Sequence, residues 1–149
     1  MKGRDAGFML AAWISICLVM QTVRWRDRME ASRVLRQVEI LSMAAATRGE
    51  APPQLMSTNL EALRRIEGKD PVEVGIPIAQ GTQYLFLTRF DRAAEAYQEA
   101  LELEPRPEGY LNLGRAQWFA GRRDEARVSF ATAVRLDPRL ASQVPRDAR

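Results

Sequence analysis

An all-α fold of stacked helical hairpins, led by a long N-terminal helix, is predicted by three observations. One pattern occurs twice: Gly81, Ala93, Tyr97, Ala100, Leu101 and Pro105 recur as Gly114, Ala126, Phe130, Ala133, Val134 and Pro138, every pair separated by the same interval. A fixed period of this length marks a repeat architecture. No Gly or Pro interrupts the chain between Gly7 and Gly49, so a single helix is free to run that distance. Within it, Val34, Leu35, Val38, Leu41 and Ala45 fall at helical spacing and form one apolar face.

The residue types in the doubled pattern have a physical reading. Glycine and alanine belong where two helices cross closely, because a larger side chain would push the backbones apart. Aromatics fill the wedge to the neighbouring helix. Proline lacks an N–H and clashes with the preceding turn, so it ends the second helix of each unit. Each unit therefore reads as helix–turn–helix.

The second copy carries Tyr110, Leu113, Gly114, Gly121, Ala126, Phe130, Ala133 and Pro138. The first carries Gly81, Tyr84, Phe90, Ala93, Tyr97, Ala100 and Pro105. These residues resemble the tetratricopeptide repeat. Departures are local: Gln80 replaces a leucine, Pro77 an aromatic, and Gln117 the tyrosine of the second copy, with Trp118 beside it.

The resemblance implies an α-hairpin solenoid that binds a protein or peptide along a concave surface lined by the first helix of each unit. Carried over by position, that surface holds Ile78, Thr82, Leu85, Leu111, Asn112, Arg115, Trp118 and Phe119. Chaperone-binding relatives clamp an acidic C-terminus with basic residues and asparagine. Here Thr82 follows Gly81, and Ile78 stands where the clamp lysine would be. That clamp is not expected.

Taken in order, residues 1–6 form a short tail containing Lys2 and Arg4. Residues 7–23 are uncharged and are followed by Arg24, Arg26 and Arg28. Their 17 positions reach the lower end of the roughly 17–25 apolar residues that a spanning helix needs. Trp13 and Trp25 suit the bilayer interfaces. A cleaved signal peptide would need small residues before the cleavage site. The sequence offers Gln21-Thr22-Val23 instead, and Ile16 spoils a lipid-modified Cys17. The expectation is an uncleaved single-pass anchor in the inner or cell membrane, with the C-terminal region exported to the periplasmic side.

Residues 24–73 are expected to be a juxtamembrane helix and a degenerate hairpin. Gly49 stops the first helix and Pro52-Pro53 reinforce the stop. A second helix is predicted over 58–67, opened by a capping box of Thr58 and Glu61 and closed by Gly68. Pro71 precedes Pro105 by about one period, so this hairpin completes the three units that a solenoid usually requires. The two clear units occupy 74–106 and 107–140, with helices over 75–87, 91–104, 107–120 and 123–136. Asp91 is the expected N-cap of the second of these. Residues 141–149 are read as a polar tail able to begin a capping helix.

Composition narrows the function. Hydrophobic content is 46% and charged content 28%, as in folded helical proteins. The excess of arginine lies at 24–48, whereas 74–140 holds nine Arg against nine acids. Basic charge beside an apolar run points to lipid headgroups before nucleic acid. The chain has no His and one Cys, so an intrachain disulfide and a Cys/His metal site are both excluded. No catalytic constellation, phosphate-binding glycine loop or cofactor motif is found. The expected function is a non-enzymatic, membrane-anchored scaffold or adaptor. The alternatives are a structural subunit that contacts a membrane assembly through its anchor helix, and a basic module for anionic lipid or nucleic acid.

Overall fold

The structure is a computed structural model that describes residues 2–67, 69 and 73–148, with side chains at position 9 and from 12 onward. The expectations placed on Gly68 and Pro71 lie outside the described residues. So do the side chains of Phe8, Leu10 and Ala11 in the apolar run. Helix α1 spans Lys2–Arg48 and α2 Pro53–Glu67. Two hairpins follow: α3 (Gly75–Phe86) with α4 (Phe90–Leu103), and α5 (Pro107–Phe119) with α6 (Arg123–Leu136). Two short 3-10 turns, Pro138–Gln143 and Arg146–Ala148, finish the described chain.

Helix α1 has two unlike halves. In the first, the described side chains through Arg26 are all exposed, among them Trp13, Ile16, Leu18 and Val19. Among the described residues, no helix is long and apolar enough to cross a membrane. The second half buries Ala31, Val38 and Ala45. These positions are seven residues, or nearly two turns, apart and so share one face. That face packs on Leu63 and Ile66 of α2 and Ile76 of α3, with Val34 and Leu35 at its edge. Near its other end, Lys69 Nζ donates to Glu30 at 2.6 Å across the same hairpin. That hydrogen bond, with the ammonium charge behind it, holds the Glu30 carboxyl below its ordinary range.

The end of α1 is set by Gly49 alone. Its φ is +67°, and the bonds Glu50 N–H to Ala45 O (3.1 Å) and Gly49 N–H to Ala46 O (3.2 Å) close a Schellman motif. The start of α2 corrects the predicted capping box. The helix begins at Pro53, five residues before Thr58, and the Thr58 hydroxyl donates back to Gln54 O at 2.9 Å. Proline at the first helical position has its φ already set and lacks only an N–H that would have no helical partner. Asp91 is likewise not the N-cap of α4. The cap is Arg89, and Asp91 sits in the first turn, where its charge favours the helix N-terminus.

Both repeat hairpins turn by the same device. Arg89 N–H reaches Tyr84 O (2.8 Å) and Thr88 N–H reaches Leu85 O (3.0 Å); at the equivalent place in the second copy, Arg122 reaches Gln117 O (2.9 Å) and Gly121 reaches Trp118 O (3.2 Å). The left-handed position is filled by Gly121 (φ +82°) in one copy and by Thr88 (φ +55°) in the other. A β-branched residue is strained there, and the Thr88 hydroxyl donates to the adjacent Leu87 carbonyl. Thr88→Gly is therefore expected to stabilise the chain by about 0.5–1 kcal/mol, net of the added freedom of the unfolded glycine. An upward shift of the urea midpoint at constant slope checks it; an unchanged or lowered midpoint refutes it.

Each hairpin closes on a glycine–aromatic contact. A Cβ on Gly81 would lie 2.8 Å from the Tyr97 ring, and one on Gly114 would lie 2.6 Å from the Phe130 ring. Both rings are almost wholly buried, so they have no room to withdraw. Ala93, Ala100, Ala126 and Ala133 are buried beside them. The repeats join where Leu101 of α4 meets Gly109 of α5, with 2.7 Å left for a Cβ. Pro105 and Pro138 are both exposed. They follow the ends of α4 and α6 as terminators.

The C-terminal segment also differs from expectation. It is not a free polar tail: Leu140, Val144 and Ala148 are buried against Leu111, Ala126, Phe130 and Ala133. Leu140 and Ala148 come from the two 3-10 turns and Val144 from the extended residue after the first, and together they cover the outer end of the stack. Charged surfaces are mostly solvated. Arg122–Asp91 (3.4 Å) is an ion pair that crosses between the two repeats, whereas Arg92–Glu95 and Arg127–Asp124 lie within single helices. Exposed pairs of this kind contribute little.

Candidate functional site

A groove of ≈ 680 Å³ opens between α1 and α3, beside the face on which they pack. Leu35, Val38, Glu39 and Met43 line it from α1; Ile78, Thr82 and Phe86 line it from α3; Glu73 and Arg106 come from the segments before α3 and α5. On α3 the spacing 78, 82, 86 is one residue per turn, which gives a continuous stripe. A second depression, ≈ 500 Å³, is made by α1 residues alone, including Met29, Arg33, Arg36 and Ile40. It is the surface of one helix, not a groove between elements.

Buried polar groups hold the groove floor in place. Gln83 Nε2 donates to Ser42 Oγ (2.9 Å), and Asn59 Nδ2 donates to Gln83 Oε1 (3.1 Å). Ser42 Oγ donates in turn to Val38 O (2.7 Å). One glutamine thus ties α1, α2 and α3 together. Further along, Thr82 Oγ1 lies 3.2 Å from Tyr97 Oη. Burial pushes the Tyr97 hydroxyl above its usual range, and the Thr82 hydrogen bond and the nearby Arg115 charge oppose that shift. Arg115 bonds Asn112 Oδ1 (3.4 Å) and Gln143 Oε1 (3.1 Å).

The residues predicted for the concave surface divide three ways. Ile78 and Thr82 line the groove. Asn112 and Arg115 are half-buried on α5, where Arg115 links Asn112 to Gln143 of the C-terminal turn. The other four do not line it. Leu111 is 2% exposed and belongs to the core of the second hairpin. Leu85 and Trp118, which are equivalent in the two copies, pack against the cores of their own hairpins. Trp118 also has the Arg123 guanidinium 3.6 Å from its ring centre. Phe119 is exposed but stacks on Phe90 at 5.4 Å, beside the hairpin turns. Leu85, Leu111 and Trp118 gain more from closing the hairpin than from facing solvent, whereas Phe119 makes its contact by stacking on Phe90 and stays exposed.

Phe86 and the α1 residues Glu39 and Met43 were not anticipated. Phe86 is the counterpart of Phe119 at the repeat interval, so the register was a signal for it. The α1 residues gave none, because the repeat pattern does not extend to α1.

The repeat can now be compared with known proteins. Both hairpins match the tetratricopeptide repeat. Its family model fits residues 80–107 and again 107–140. A thermophilic TPR protein of Thermus thermophilus is 25% identical with a TM-score of 0.61, over 81% of this chain and 69% of that one. The second TPR of Spaghetti (RPAP3), solved bound to the HSP90 peptide SRMEEVD, has a TM-score of 0.58 at 17% identity, over 75% of this chain and 98% of that one. Both likenesses extend beyond the two segments that fit the family model. No curated protein matches the chain.

Proposed function

We propose that this protein is a membrane-anchored TPR adaptor that holds a protein or peptide partner close to the bilayer. The observation that carries the reading is that α1 supplies one wall of the groove and also bears the apolar run. The repeat fold is of a kind suited to protein–protein contact, and one structural relative was solved with a peptide bound. The anchor is supported by the 17 uncharged residues at 7–23 with arginine after them, and by the exposure of Trp13, Ile16, Leu18 and Val19. Exposed apolar surface of this extent marks a membrane or protein contact. With a rise of about 1.5 Å per residue, the groove residues of α1 would stand roughly 18–35 Å beyond Val23. On this reading the repeat domain faces the periplasmic side, which a pair of C-terminal reporter fusions, one active on each side, decides.

A photo-crosslinking residue at Phe86, compared with one at the exposed Val128 of α6, tests the proposal in native membranes. A discrete crosslinked partner is expected from position 86 alone, with the protein retained in alkali-washed membranes. Identical products from both positions overturn the groove; release into the alkaline supernatant overturns the anchor.

A further inference from the structure

We propose that the groove between α1 and α3 takes a peptide segment that presents a basic residue beside apolar ones. The proposal rests on the reading of this groove as the partner site. The apolar part of the lining, with Leu35, Ile78 and Phe86, calls for apolar side chains. The charged part selects the sign of the neighbouring residue. The Glu39 carboxylate has no hydrogen-bond or ion-pair partner among the described residues. Glu73 accepts the Gly75 N–H with one carboxylate oxygen at 3.2 Å, which leaves its other oxygen for a ligand. Arg106, the cation of the lining, is held by Glu104 at 2.6 Å and also lies in the field of Glu108 and Glu73.

The groove lining therefore carries two carboxylates against one guanidinium, although the chain as a whole is positive by three charges. A carboxylate brought into this space would meet like charge, whereas a guanidinium or ammonium group would find Glu39 without a competing partner. Like-charge juxtaposition excludes wrong partners more strongly than a rim charge pair attracts the right one. The uncommitted acidic side chain thus sets specificity, and the apolar stripe supplies most of the affinity. Arg115 lies on α5, outside the groove lining, and its positive charge is felt at Tyr97 behind Thr82 rather than beside Glu39.

The test selects a random phage-displayed peptide library on the full chain in detergent micelles, with a Phe86→Ala, Ile78→Ser variant for counter-selection. Groove-dependent peptides are expected to be enriched in Arg or Lys next to Leu, Met or Phe. Glu39→Gln should weaken the best of them about two- to fivefold, the size of an exposed charge pair. Groove-dependent peptides that are neutral or acidic, or whose affinity ignores Glu39→Gln, overturn the charge assignment and leave the groove as a partner site. A selection that yields no groove-dependent peptide overturns the partner site itself, and the charge assignment with it.

Discussion

Phe130→Ala is expected to cost about 3–5 kcal/mol, the largest loss from any single side chain in the second hairpin. The ring is 2% exposed and central to the cluster that joins α5, α6 and the C-terminal turns. Removing it deletes the transfer free energy of an aromatic. It also leaves a cavity that the flanking alanines, Ala126 and Ala133, are too small to fill. Gly114 makes the site harder to repair, because its backbone is held close by the ring itself. Gly114→Ala should therefore destabilise in the wild-type background, by about 1–2 kcal/mol, as overpacking outweighs the gain in helix propensity. In the Phe130→Ala background the same change should be neutral or stabilising. Urea melts of the four proteins check this as a double-mutant cycle. Additive effects would mean that the glycine and the ring do not share one space.

Gln83→Ala is expected to act elsewhere, at the joint between the N-terminal hairpin and the repeats. Gln83 is 1% exposed, and Asn59 is 3% exposed. Without the glutamine, the Asn59 amide loses its acceptor, and an orphaned buried donor costs about 1–3 kcal/mol before any cavity is counted. Ser42 keeps its bond to Val38 O, so the penalty falls mainly on Asn59. Gln83→Leu with Asn59→Leu removes both partners and should recover much of the stability. Hydrogen exchange would separate this from a global effect. Faster exchange is expected at α1 and α2 around residues 38–66, with α5 and α6 unchanged. Uniform acceleration along the chain would show that the network is not a local joint.

The two predictions differ in how far the sequence foretold them. Gly114 and Phe130 could be paired from their spacing, because Gly81 and Tyr97 show the same spacing one repeat earlier. A recurring small residue opposite a recurring aromatic is a packing statement, and it needs no long-range knowledge. Gln83, Ser42 and Asn59 gave no such signal. Gln83 lies 41 residues from Ser42 and 24 residues from Asn59. The three have no periodic relation, and each alone reads as a surface polar residue. Only their burial makes them a network.

A similar contrast runs through the groove. Ile78 and Thr82 were named from register within one repeat. Leu85, Leu111, Trp118 and Phe119 were named by the same rule, yet they close hairpins or stack on Phe90. The rule reports which helix face a residue occupies. It does not report how far the neighbouring helix extends over that face. Glu39 and Met43 reach the groove because α1 lies across α3, a contact between elements that share no sequence pattern. Leu140, Val144 and Ala148 were hidden for a related reason: a spacing of four in a short polar segment becomes an apolar face only when an exposed stack end requires cover.

By itself, then, the sequence of this protein determined its local geometry and the period of its stack. Gly, Ala, Pro and aromatic positions act through backbone approach and chain conformation over a few residues, and those effects are written in order along the chain. Tertiary structure alone decided which polar side chains were buried together, that the C-terminal turns cover the second hairpin, and that α1 supplies a wall of the groove. Those outcomes depend on which surfaces meet. Their free energy comes from area and hydrogen bonds shared between distant segments, which no spacing within a single segment records.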